Sequence, residues 1–250
     1  MLKNLESGNR IINAEEIIPL LAGYQMLPQL LREIIIDRAI APIKCTPEEE
    51  AKVRQQFYAQ NMLTSETKRE AWLERHGMTP QQLETLATRG LRIEKFKQAT
   101  WGHKLESYFL SRKAQLDKVI YSLIRTKDVG IAQEIYFRIQ EGEQTFAELA
   151  REYSQGQEAQ TGGLIGPVEM STPNPTLVQM LCVSQPGQLW PPMRLGEWLV
   201  IVRLEKLMPA QLDEPMRSRL LNECFATWLS EQLDQLTTSR TDPRVATLAS

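Results

Sequence analysis

Three cysteines and two histidines hold the nucleophilic and metal-binding potential of this 250-residue chain, and their spacing realises neither chemistry. Cys45, Cys182 and Cys224 are odd in number, widely separated and without any Cys-x-x-Cys pair, so they signal neither a disulfide framework nor a zinc site. Three unpaired thiols acting as small buried hydrophobes are expected. His76 and His103 lie far apart and lack cysteine or carboxylate companions, which predicts partly exposed helix residues. No metal and no cofactor are expected.

Glycines and aromatic residues are more informative than these groups. Between Gly142 and Leu204, Thr145 is placed to cap a helix with Glu148 as its capping-box partner, and Phe146, Leu149, Ala150 and Tyr153 fall on one helical face. Gly162, Gly163 and Gly166 then mark a turn where the backbone passes close to its neighbours or takes positive φ. After Gly196 comes a near-continuous β-branched run, the pattern of a central strand buried on both faces.

In order and spacing, Phe146, Leu149, Ala150, Ser154, Gly162, Gly163, Gly166 and the closing strand resemble the parvulin family of peptidyl-prolyl isomerases. The resemblance covers about Asp117 to Leu207. It implies a site built from two strand histidines, an acid or thiol just after the helix serine, and an apolar proline pocket. The positions that match are Tyr121 for the first histidine, Gly156 for the acid or thiol, and Trp198 for the second histidine. Leu177 aligns with the pocket phenylalanine and Met170 with the pocket methionine. No polar catalytic member is intact, and shifting either strand by one or two residues restores no imidazole. Tyr121 still has a hydroxyl and Trp198 an indole N–H to offer a bound carbonyl, but packing as core is the expected role of both. Tyr121, Met170, Leu177 and Trp198 are the expected peptide-binding residues.

Upstream, the chain reads as helix after helix. Asn13 is placed to cap the first and Pro28 opens a second; Thr46-Pro47 and Thr79-Pro80 supply cap and first-turn proline for two more, with Ser65 starting a short helix between them. Gly90 marks a kink or a close packing point. The helix start near Thr46, with Trp72-Leu73-Glu74 and Met78–Glu84, resembles the N-terminal region of SurA- and PrsA-type chaperones. From Asp213 to Leu236 an apolar stripe through Leu220, Leu221, Phe225, Trp228 and Leu229 is too wide to leave in water, so this helix is expected to return to the N-terminal bundle and bury Trp228. The polar run Thr237–Pro243 is expected to fray.

These readings give an α+β chain: a helical SurA-like domain (1–116), an inserted parvulin-like domain with a small antiparallel or mixed sheet (117–207), and a returning helix with a flexible tail (208–250). Residues 1–116 carry 17 Lys+Arg against 14 Asp+Glu, and residues 117–207 carry 8 against 11, so nucleic acid is not the expected partner. No apolar run has the length of a membrane span. The first residues lack the apolar core of a secretory signal, which points to the cytoplasm, whereas the resemblance implies the periplasm. The implied function is a folding factor that binds unfolded or extended polypeptide through a degenerate isomerase domain. The alternatives are an active prolyl isomerase and a non-catalytic adaptor of a protein export assembly.

Overall fold

The structure, a computed structural model, describes residues 4–7 and 10–241. In chain order its elements are β1 (Asn4–Ser7), β2 (Arg10–Asn13), α1 (Ala14–Gly23), α2 (Leu27–Ile40), α3 (Pro47–Gln60), α4 (Glu66–His76), α5 (Pro80–Trp101) and α6 (Leu105–Leu116). There follow β3 (Lys118–Thr126), α7 (Val129–Gln140), α8 (Phe146–Tyr153), β4 (Leu164–Glu169), α9 (Pro175–Val183), β5 (Met193–Leu195), β6 (Trp198–Met208) and α10 (Glu214–Thr241). The described residues of Met1–Leu105 and Glu214–Ser250 form one compact unit and Glu106–Asp213 a second. The chain is therefore α+β, a helical domain completed by its last helix with a sheet domain inserted.

Local chemistry sets the helix starts of the first unit. Thr46 and Thr79 each accept a hydrogen bond from the backbone three residues on, while Glu49 and Gln82 reach back to the cap N–H at 2.8 Å. Ser65 caps α4 through the Lys68 N–H. Asn13 stands directly before α1, its side chain lying outside the described residues. Ahead of α1, β1 and β2 pair as an antiparallel hairpin that the helical pattern did not announce.

Helix ends in this unit share one device. After α1, α3 and α4 the residue at C′ takes left-handed φ, and paired bonds of the Schellman type close the last turn, such as Met62 N–H to Ala59 O and Leu63 N–H to Tyr58 O. Only after α4 is that residue a glycine, Gly77; after α1 it is Gln25 (φ 59°) and after α3 it is Met62 (φ 57°). A side chain there costs about 1–2 kcal/mol relative to a relaxed backbone.

The core of this unit joins Ile35, Ile36 and Ile40 of α2 to Leu229 of α10, with Ile93, Phe96, Phe225 and Trp228 packed against them. Rings of Phe96, Trp101, Phe225 and Trp228 meet at centroid distances of 5.2–6.3 Å. The Lys97 ammonium of α5 is buried and donates to Asn222 of α10 and to Glu94. Trp228, expected to be buried, is half-buried, because Leu229 beside it takes the innermost place. The helix does not fray after Leu236 but runs to Thr241, no helix breaker preceding Pro243, which with Asp242 lies outside the described residues. A Cβ on Gly90 would meet nothing within 4 Å, so close packing is not its reason. The cysteines also differ from expectation: Cys182 is exposed, and Cys45 and Cys224 are half-buried.

In the second unit four antiparallel strands are ordered β4-β3-β6-β5. Val119, Tyr121 and Leu123 of β3 and Val200, Val202 and Leu204 of β6 share one face with Leu177, Met180 and Leu181 of α9. Ile124 and Ile201 point to the other, beneath Ile135 of α7 and Phe146, Leu149 and Ala150 of α8. This period of two explains why β6 reads as continuously apolar. Thr145 and Glu148 make the expected capping box on α8. Gly163, at φ 83°, lies where a Cβ would come within 2.9 Å of the Leu123 carbonyl and the Phe146 ring.

Two stability outcomes follow from this packing. Leu229→Ala should cost about 2–5 kcal/mol in denaturant unfolding, as for other large-to-small core changes, whereas Gln235→Ala on the exposed face should stay within about 0.5 kcal/mol. Met62→Gly should raise stability by about 0.5–1 kcal/mol, the relief of left-handed strain being partly offset by glycine's backbone entropy.

Candidate peptide site in the sheet domain

Tyr121 sits in the middle of β3 with 5% of its surface exposed. Its ring belongs to the apolar face formed with Met170, Leu177 and Val202, and Trp198 at the start of β6 packs half-buried against the same cluster. The four residues expected to bind peptide are thus brought together on one face of the sheet. Met170 and Leu177 are 3% and 4% exposed, so their contribution is mainly to the floor of that face. The Tyr121 hydroxyl has no hydrogen-bond partner among the described residues. Burial pushes its pKa up, with the Arg125 cation opposing and the Glu158 carboxylate adding to the rise, so the phenol stays protonated and a donor at neutral pH.

Gly156 stands where the resemblance places an acid or thiol. A Cβ there would overlap the Glu158 carboxylate and the Arg125 Nε, so a side chain would have to displace that pair. Glu158 lies in the short 3₁₀ helix Gln157–Thr161, its side chain 3% exposed, and receives Arg125 Nε at 2.7 Å and Nη2 at 2.6 Å. Ser154, the C-cap of α8, donates its hydroxyl to the same carboxylate at 2.7 Å and accepts the Arg125 backbone N–H at 3.1 Å. The Gln155 N–H adds a bond to the Arg125 carbonyl at 2.9 Å. Strand β3, the end of α8 and the 3₁₀ turn are locked together by this one cluster.

Electrostatics agree with that geometry. Burial works against the charged form of Glu158, but the bonds from Arg125 and Ser154 outweigh it and hold the carboxyl below its usual range. Arg125 is raised, chiefly by its bond to Glu158. The guanidinium stands 6.0 Å from the Trp198 ring centroid and the Lys127 ammonium 4.6 Å from it, while Lys127 also pairs with Glu197 at 2.7 Å. Trp198 therefore presents a half-exposed ring with its π face under cations.

Arg125 and Glu158 were not singled out from the sequence. The available signal was an arginine within the apolar run Val119–Thr126, since a cation in a buried strand requires a partner; nothing in the polar stretch after Ser154 identified Glu158 as that partner. His76 stacks on Trp72 at 3.9 Å and His103 is exposed, both remote in sequence from this cluster. Among the described residues no group of three or more His, Cys, Asp or Glu could hold a metal ion. No helix among them is long and apolar enough to cross a membrane.

A four-stranded antiparallel sheet with helices on both faces, with a capped helix and a glycine pair leading into β4, defines a small α+β domain. Residues 125–206, within the inserted unit, match the family model of the PPIC-type PPIase domain, Rotamase. Gly156 and Trp198 fall inside the matched range and Tyr121 just before it. The chain is similar to peptidylprolyl isomerase PrsA of Bacillus cereus at 20% identity over 95% of this chain and 91% of that one, with a TM-score of 0.47. It is similar to the parvulin domain of PpiD from E. coli at 29% identity over 40% of this chain and 97% of that one, TM-score 0.35. A Campylobacter jejuni structure described among two SurA-like chaperones shares 13% identity over 98% of both chains, TM-score 0.38. No curated protein sequence matches.

The buried pair makes a specific demand on stability. Arg125→Met leaves the Glu158 carboxylate with Ser154 alone and should cost about 3–5 kcal/mol in denaturant unfolding of the sheet domain, most of which the double variant Arg125→Met/Glu158→Met should recover. Because the folded pKa of Glu158 lies below the unfolded value of ~4.3, its contribution is complete above that pH and disappears as pH falls through the folded pKa. Melting curves between pH 6 and 3 should therefore fall more steeply for the native chain than for Glu158→Gln.

Proposed function

We propose that this protein is a folding factor of the SurA and PrsA type that binds unfolded or extended polypeptide, with its parvulin-type domain (117–207) no longer catalytic. The observation that carries the proposal is Gly156, where the side chain of an acid or thiol would have to displace the Arg125–Glu158 pair. Prolyl isomerisation requires groups that favour the twisted amide over both planar forms, against a barrier of ~18–20 kcal/mol. The Arg125–Glu158 pair is a poor source of such groups, because the Nε and Nη2 donors of Arg125 are already committed to Glu158. Binding makes a lesser demand. The Tyr121 hydroxyl and Trp198 indole N–H are donors for peptide carbonyls, and Met170 and Leu177 support the apolar floor beneath them.

The resemblance of the helical part to SurA- and PrsA-type chaperones favours an extracytoplasmic place of work, and the near-neutral charge of both halves favours protein rather than nucleic acid as partner. Isomerase assays on tetrapeptides that vary the residue before proline should give rates at or near the uncatalysed one. Losing a set of positioned polar groups worth ~10²–10⁴-fold each in general acid–base systems removes most of the advantage over water. The variant Tyr121→His/Gly156→Asp/Trp198→His should stay inactive and lose stability, since an aspartate side chain introduced at Gly156 has no room beside Arg125 and Glu158. Activity of the native chain near that of ordinary parvulins, abolished by Tyr121→Ala or Trp198→Ala, would show that the aromatics had taken over the chemistry.

A further inference from the structure

The helical unit carries a second surface that the parvulin-type site does not use. On α4, Lys68, Ala71, Trp72 and Arg75 recur at helical spacing and line an open cleft of about 430 Å³ with Met62 and Leu63. Leu63 is also shared by a neighbouring cleft of about 450 Å³, bordered by Arg54, Tyr58 and Arg69. The two clefts fall within the ~300–1,000 Å³ range of sites that hold ligands. Neither is lined by a carboxylate. Arg54 and Arg69 are paired with Glu84 and Glu66. Lys68 bonds only the Thr64 hydroxyl at 3.4 Å, and Arg75 has no acidic partner among the described residues.

The aromatic in this cleft is held in place. Trp72 is half-buried, stacked on His76 with centroids 3.9 Å apart and touched edge-on by Phe57 at 6.4 Å. The His76 Nδ1 lies 2.7 Å from the Trp72 carbonyl, which fixes the ring against its own helix end. Met62 supplies an independent indication. Its side chain is 73% exposed and its backbone is in the left-handed region that the glycine after α4 occupies without strain. Fold stability alone would favour glycine at Met62, whereas a flexible thioether at the rim of an apolar cleft suits contact with varied side chains.

We infer that the α3–α4 surface around Leu63 binds an extended polypeptide segment that carries acidic and apolar side chains on the same face, the acids against Lys68 and Arg75 and the apolar groups against Trp72 and Met62, over the floor that buried Leu63 forms. Charge complementarity selects this occupant, since the lining has cations and no carboxylate. The inference rests on the reading of the protein as a polypeptide-binding factor and names one class of client together with a site remote in sequence from Tyr121 and Trp198.

Fluorescence anisotropy with the full chain tests it, using a labelled peptide that repeats Glu-Ser-Leu-Ser, so that Glu and Leu share one face of the extended chain, and a counterpart with Lys in place of each Glu. The acidic peptide should bind at least about tenfold tighter at low salt, and added salt should narrow the difference. In Lys68→Glu/Arg75→Glu the preference should invert. Lys68 stands in the first turn of α4 and Arg75 in the last, so the reversal has opposing effects on the helix dipole and the fold should persist. Met62→Gly should weaken the acidic peptide several-fold while its melting midpoint rises, a combination that simple damage to the fold does not produce. Equal affinity for the two peptides, or affinity unchanged in the double reversal, overturns the inference. So does sedimentation showing that the native chain self-associates through this face and that the double reversal abolishes it. Binding that Trp198→Ala removes and the double reversal spares also overturns it, while leaving the proposed function standing.

Discussion

A carboxylate with 3% of its side chain exposed stays ionised only if donors replace the water it has lost, and Glu158 finds them in both arms of Arg125 and in the Ser154 hydroxyl. The geometry of the neighbourhood follows from satisfying that charge. Ser154 must end α8 where its hydroxyl reaches Glu158, and its oxygen then also receives the Arg125 backbone N–H. The backbone at Gly156 crosses so near the pair that any Cβ there would push it aside. An arginine in a strand, a serine at a helix end and a glycine in a turn are thus consequences of a single buried charge.

The helical unit distributes its constraints differently. Capping boxes at Thr46 and Thr79 set the starts of α3 and α5, and Schellman closures set the ends of α1, α3 and α4. These are local interactions, each of order 1 kcal/mol, and they decide where helices begin and stop rather than how they assemble. Assembly depends on α10, whose Leu229 completes an isoleucine cluster on α2 and whose Asn222 receives the buried Lys97 ammonium from α5. Apolar burial provides most of the attraction, while the lysine favours one register, because a slip of α10 would leave the buried ammonium with Glu94 alone.

The fold was legible where periodicity and caps coincide. Thr145 with Glu148, the two Thr-Pro starts, and the alternation that makes β6 central all follow from the chain itself, because each is a rule about residues within four positions. The stripe on α10 likewise announced a docked helix. The site was legible only in part. Tyr121, Met170, Leu177 and Trp198 do converge on one face, but their convergence came from the family resemblance, and no local pattern indicated that Gly156 lies over an ion pair. Arg125 and Glu158 are 33 residues apart in sequence and meet only through the sheet and the turn after α8. The hairpin before α1 was missed for a similar reason: two four-residue strands offer too few alternations to stand out.

Catalysis and binding separate at this site on physical grounds. A catalyst must prefer the twisted amide, so its polar groups must be free to form bonds in the transition state that they do not form with either planar isomer. In this domain the groups with the strongest fields, Arg125 and Glu158, satisfy each other, and the Tyr121 hydroxyl remains without a partner among the described residues. A lone phenol donor bonds a carbonyl in either isomer with similar strength, and the apolar floor beneath it is indifferent to the twist. Under the proposed function, such a surface would hold an extended chain without hastening its isomerisation. On the proposed function, the arrangement that stabilises Glu158 is the same one that would turn a catalytic scaffold toward binding.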